Sequence, residues 1–113
     1  MKDFLLIFRS DNVVMAEASP EEREAMTKKW MDWVVGIATQ GNLTDRGNRL
    51  HPSGKVMKGG QIITNGPYTE IKEFVGGYSI IKAESYEAAV EIAKDCPIFL
   101  VDGSLEVREV SPM

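Results

Sequence analysis

Apolar positions fall into separate blocks along the chain, and each block has its own period. Phe4 to Phe8 is a short unbroken apolar run closed by Arg9 and Ser10-Asp11-Asn12, which predicts a strand covered on both faces. Ser19-Pro20-Glu21-Glu22 then announces a helix. Ser19 can accept from the third helical N–H, Pro20 suits the first position, and Glu22 completes a capping box. Met26, Trp30, Trp33, Val34, Ile37 and Ala38 recur at steps of three and four and form one wide stripe, and Gly41 ends the helix. Residues 43–50 form a weak strand or loop, and Pro52-Ser53-Gly54 marks a turn. Val56-Met57 and residues 61–64 look like a strand interrupted at Gly59-Gly60 by a hairpin turn or a bulge. Asn65-Gly66-Pro67 breaks the chain again.

Residues 74–82 predict a central strand that contains Gly76-Gly77. Two adjacent glycines weaken a strand, so another segment is expected to pack closely on its backbone there. Ser85 can cap a second helix with a stripe of Tyr86, Ala89, Val90 and Ala93, and Pro97 follows its end. Residues 98–101 read as a short bridge or strand, and Leu105-Glu106-Val107-Arg108 alternates as a half-exposed strand does. The order of strand, helix, two strands, strand, helix, strand predicts an α+β fold, a split βαβ with two helices on one face of an antiparallel sheet. Two helices cover one face only, yet the first strand is apolar on both. A homodimer packing sheet against sheet resolves this, and a monomer whose middle segment folds over that face is the alternative.

Composition bounds the rest. At 113 residues, 43% apolar and 27% charged, the chain fits one domain spanning 1–113. One His and one Cys exclude a multi-ligand His/Cys zinc site or an intramolecular disulfide within one chain. A net charge of -4 argues against direct nucleic-acid binding. The N-terminal apolar run is too short for a signal-peptide core, and no stretch approaches the ~20 apolar residues of a membrane span. The expected setting is therefore cytoplasmic, with no metal and no cofactor.

The most distinctive stretch runs Asn65-Gly66-Pro67-Tyr68-Thr69-Glu70-Ile71-Lys72-Glu73, followed by Gly76-Gly77-Tyr78. On these residues the chain resembles the YCII-related superfamily, in its DGPF-motif branch, with Asn65 in place of Asp and Tyr68 in place of Phe. Ala93-Lys94-Asp95-Cys96-Pro97 and the helix end at Gly41-Asn42-Leu43 are similar to that branch too. The resemblance implies a ferredoxin-like fold assembled as a dimeric α/β barrel, and an association of some members with extracytoplasmic-function sigma factors. Better-studied relatives have a proposed His–Asp pair with the His on the first helix. Here Trp30 falls at about that position, so the pair does not carry over.

His51 is the one imidazole and a candidate general base, although a turn is an ordinary place for an exposed polar residue. Asp45, Arg46 and Arg49 precede it, and the arginines suit an anionic ligand. Glu70 and Glu73 are candidate acid–base carboxylates, with Lys72 between them. The same cluster could instead fix the turn through ion pairs. Tyr68 and Tyr78 could line a cleft or pack in a core or an interface. Cys96, at a helix C-terminus, is a poor nucleophile candidate. Two functions stay open. One is a small-molecule-binding domain with Arg49, Tyr68, Lys72 and Tyr78 as ligand contacts, extending to an enzyme of lyase or isomerase type. The other is a non-catalytic module that meets a sigma factor.

Overall fold

In the computed structural model, residues 1–10, 17–64, 66 and 74–112 are described. They form β1 (Lys2–Ser10), α1 (Pro20–Thr39), β2 (Leu43–Asp45), β3 (Val56–Lys58), β4 (Gln61–Thr64), β5 (Phe74–Ala83), α2 (Tyr86–Ala93), a 3₁₀ helix (Pro97–Val101) and β6 (Ser104–Glu109). Four strands make one antiparallel sheet in the order β2-β5-β1-β6, while β3 and β4 pair separately. Each helix follows a central strand and returns the chain to an edge. That is the ferredoxin-like split βαβ arrangement, with the β3–β4 hairpin inserted between β2 and β5.

The ends of α1 form as the sequence predicts. Ser19 Oγ accepts from the Glu22 N–H at 3.1 Å, and the Glu22 carboxylate accepts from the Ser19 N–H at 3.2 Å. At the other end Gly41 takes φ +79°. Its N–H donates to the Ala38 carbonyl and that of Asn42 to the Ile37 carbonyl, a Schellman closure that aims the chain into β2. At β3–β4, Gly59 and Gly60 both have positive φ, 60° and 78°, in the two-residue turn between Lys58 and Gln61. The interruption is therefore a hairpin turn.

Alternation along β1 assigns the faces of the sheet. Phe4, Leu6 and Phe8 are buried and pair with Ile81, Ser79 and Gly77 on β5. Ile37, Ala89, Cys96 and Ile98 from the helical layer complete this core. Phe8 meets Trp30 edge-on at a centroid distance of 4.9 Å and Trp33 at 6.0 Å, and Phe4 meets Tyr86 at 5.0 Å. The shortest dimension of the molecule, 18 Å, fits one sheet with one layer of helices. Leu5 and Ile7, which the sequence predicts to be covered, point to the opposite face and are half-buried within the single chain.

Residues 98–101 are not a strand. Pro97 opens a 3₁₀ turn that sends Ile98 into the core and ends at Asp102, which has φ +56°. A strand there would continue away from the core, whereas the turn brings the chain back to form β6 beside β1. The Ala38 side of the predicted α1 stripe is exposed, and Ile37 is the buried member.

Candidate functional site

The edge of the sheet at β2 is irregular, and the irregularity shapes the candidate site. Leu43 and Asp45 pair with Ile81 and Ile80, and the next pairing is a single bridge between Arg49 and Gly77. Between them the chain bulges. The Asp45 carboxylate accepts from the Gly47 N–H at 2.8 Å, and Gly47 turns at φ +70°. A Cβ on Gly47 would sit 1.7 Å from the Tyr78 carbonyl oxygen, so only glycine allows the bulge to lie against β5. The returning segment is held by the Tyr78 N–H on the Asn48 carbonyl (3.2 Å) and the Leu50 N–H on the Gly76 carbonyl (2.8 Å). The buried Ser79 hydroxyl donates to the Arg46 carbonyl at 2.5 Å. The close approach predicted at Gly76-Gly77 falls on Gly77, where a Cβ would meet the Asn48 carbonyl oxygen at 2.9 Å. At Gly76 a Cβ would meet nothing.

This bulge delivers Asn48 to Tyr78, and the Asn48 side-chain amide donates to the Tyr78 hydroxyl at 3.4 Å. Tyr78 pairs with Ile7, which pairs with Glu106 on its other side, so the three lie in one row across the face opposite the helices. The next row is Ile80, Leu5 and Arg108. Arg9 closes one end of this face. Its guanidinium reaches Glu106 at 3.3 Å, and Arg108 reaches the second oxygen of the same carboxylate at 3.2 Å. The face thus has an apolar middle of Leu5, Ile7 and Ile80. It has a polar end of Asn48, Tyr78, Glu106 and two arginines. Arg9, Asn48, Glu106 and Arg108 were not singled out from the sequence. The β6 alternation that places Glu106 and Arg108 on one side of the strand was the available signal.

Among the sequence candidates, Arg49 and Tyr78 come together at the bulge. Tyr68, Glu70, Lys72 and Glu73 lie outside the described residues, and β5 begins directly after them, at the polar end of the face. His51 is exposed, and its Nδ1 accepts from the Ser53 N–H at 3.1 Å with the Ser53 hydroxyl 2.8 Å away. A nitrogen that accepts from a backbone N–H carries no proton. In the neutral form of the ring this geometry places the hydrogen on Nε2.

Cys96 is buried in the core, and burial pushes its thiol up to about 12, against a smaller lowering from the backbone at Ile98. It is a core side chain with almost no thiolate at neutral pH. Among the described residues, no group of three His, Cys, Asp or Glu side chains could hold a metal ion, and no helix is long and apolar enough to cross a membrane. No curated protein matches the chain in sequence. The YCII-related domain matches residues 3–113, nearly the whole length, and the chain belongs to that family.

Proposed function

We propose that this YCII-related chain works as a homodimer that binds a small organic acid at the polar end of its paired sheets. The observation that carries the reading is the face opposite the helices. Its half-buried strip of Leu5, Ile7 and Ile80 runs into Tyr78, Arg9, Glu106 and Arg108. An apolar middle suits closed two-fold packing against a second copy, and such packing would wall off the polar end as a cleft. The largely exposed Arg108 guanidinium presents the planar fork of donors through which Arg recognises an anionic guest.

The run Asn65-Gly66-Pro67-Tyr68 through Gly76-Gly77-Tyr78 supports placing the chain in the DGPF-motif branch of the family. It also supplies Glu70, Lys72 and Glu73 immediately before β5. An activity of lyase or isomerase type would draw its proton-transfer groups from Glu70, Glu73 and the Tyr78 hydroxyl, with Arg49 and Lys72 holding the acid. The test is a thermal-shift screen of small mono- and dicarboxylic acids on the wild-type chain, on Arg108→Gln and on the Glu70→Gln/Glu73→Gln pair. Acids that raise the midpoint of the wild type are expected to lose that effect in both variants. A stabilising acid that works equally well on all three proteins would place the binding site elsewhere.

A further inference from the structure

The charges of the chain are segregated. Residues 46–69 carry Arg46, Arg49, Lys55 and Lys58 and no acid, a net of +4 in a chain whose total is -4. Within this stretch the β3–β4 hairpin pairs Met57 directly with Ile62, so both project from one face of the hairpin. They are 63% and 54% exposed. A two-stranded hairpin of this length is marginal unless its apolar face packs on something. The chain as a whole is also less compact than its length requires, with a radius of gyration of 15.2 Å against about 13 Å for a compact domain of this size.

A surface of the opposite character lies on the helical side of β6. Val90, Ala93, Lys94, Phe99, Leu105 and Val107 line an open depression of about 270 Å³ between α2, the 3₁₀ helix and β6. Val90 and Phe99 are 53% and 48% exposed, and Leu100 beside them is also exposed. Residues 84–102 around it carry five acids, Glu84, Glu87, Glu91, Asp95 and Asp102, against the single Lys94, which pairs with Glu91. The arm, with Lys55 and Lys58 beside its apolar face, and the acidic rim around an apolar depression are complementary in both respects.

The two features stand at opposite edges of the sheet. The chain enters the hairpin from the β2 side, after bridging to β5 at Arg49, whereas the depression borders β6, three strand spacings or about 14 Å across the sheet. That separation favours a neighbouring copy as the occupant. A two-fold axis parallel to the strands, between two facing sheets, lays each β2 edge over the partner's β6 edge.

We infer that the β3–β4 hairpin of one copy docks Met57 and Ile62 into the depression at Val90 and Phe99 of a second copy, reciprocally. The inference rests on the pairing of two copies proposed above. It adds an exchanged arm that ties the outer layers together where facing sheets alone would leave them free.

Cross-linking of two variants, each with one added cysteine, tests it. Met57→Cys and Val90→Cys chains are mixed to exchange subunits and treated with a short bis-maleimide, with the buried native Cys96 as the unreactive background. A product of twice the chain mass is expected in the mixture and not in either variant alone, and Met57→Asp with Ile62→Asp should weaken self-association at least tenfold. A double-mass particle by light scattering with no cross-link in the mixture overturns the arm contact and leaves the pairing of copies standing. A 12.6 kDa particle with no cross-link overturns both. Binding of the arm to vesicles of anionic phosphatidylglycerol, with no cross-link between chains, also overturns it by assigning the arm to a lipid surface.

Discussion

Replacing Gly47 with alanine separates the two demands that the bulge makes on the chain. At φ +70° any Cβ carries the left-handed penalty of about 1–2 kcal/mol. At this position the added atom would also lie 1.7 Å from the Tyr78 carbonyl oxygen and 2.6 Å from its carbon. Both are backbone atoms of a central strand, so no rotamer change relieves the contact and the edge must move. Forcing extra volume into packed structure typically costs a further 1–3 kcal/mol or so. Gly41 supplies the control. Its φ is +79° and a Cβ there would meet nothing within 4 Å, so Gly41→Ala should cost the conformational part alone. Urea unfolding of the two variants should therefore place Gly47→Ala about 1–3 kcal/mol below Gly41→Ala. At about 4 °C per kcal/mol for a chain of this size, the midpoints of thermal unfolding should differ by about 4–12 °C. Gly47→Ala should also weaken the contact between Asn48 and Tyr78, since that contact depends on the bulge. Equal stabilities for the two variants would refute the argument that the 46–50 segment presses on β5.

Other consequences are independent of this one. Cys96 should stay unmodified by iodoacetamide at pH 8 in the folded chain and react at the rate of unfolding, because its thiol is buried and raised to about 12. Fast modification under native conditions would contradict its place in the core. The Glu22 carboxyl is lowered from an ordinary 4.5, chiefly by accepting the Ser19 backbone N–H. Its contribution to stability is present above about 4.5 and is lost as pH falls through the lower folded value, so Glu22→Gln should flatten the acid limb of a stability–pH curve and leave the limb above pH 6 unchanged in shape. Ser79→Ala should destabilise the chain by about 0.5–1.5 kcal/mol in urea melts, because it removes the hydrogen bond that ties the Arg46 carbonyl to β5.

The elements whose signals are local were legible in the sequence. Ser19, Pro20 and Glu22 fixed the start of α1, Gly41 its end, and Gly59-Gly60 the hairpin turn, because caps and positive-φ turns depend on a few adjacent residues. The alternation of β6 and the position of β5 were legible for the same reason. What pressed on Gly77 was not. The residues that do so, Asn48 and Arg49, owe their position to a bulge whose register follows from tertiary contact with β5. Residues 98–101 read as a short bridge or strand, and lie in the 3₁₀ turn, because a short apolar run carries no period that separates these forms. The polar end of the open face was missed because Arg9, Asn48, Glu106 and Arg108 come from three separate parts of the chain. Only the strand order β2-β5-β1-β6 makes them neighbours.

The central claim is that the face carrying Leu5, Ile7 and Ile80 meets a second copy of the chain. Light scattering on the wild-type protein and on Ile7→Asp, at equal dilute concentrations, tests it most directly. Pairing of facing sheets predicts a particle of twice 12.6 kDa for the wild type and a folded 12.6 kDa particle for Ile7→Asp, since a buried unpaired carboxylate at the centre of the contact would break it. A 12.6 kDa wild-type particle, or a variant that stays at double mass, would contradict it.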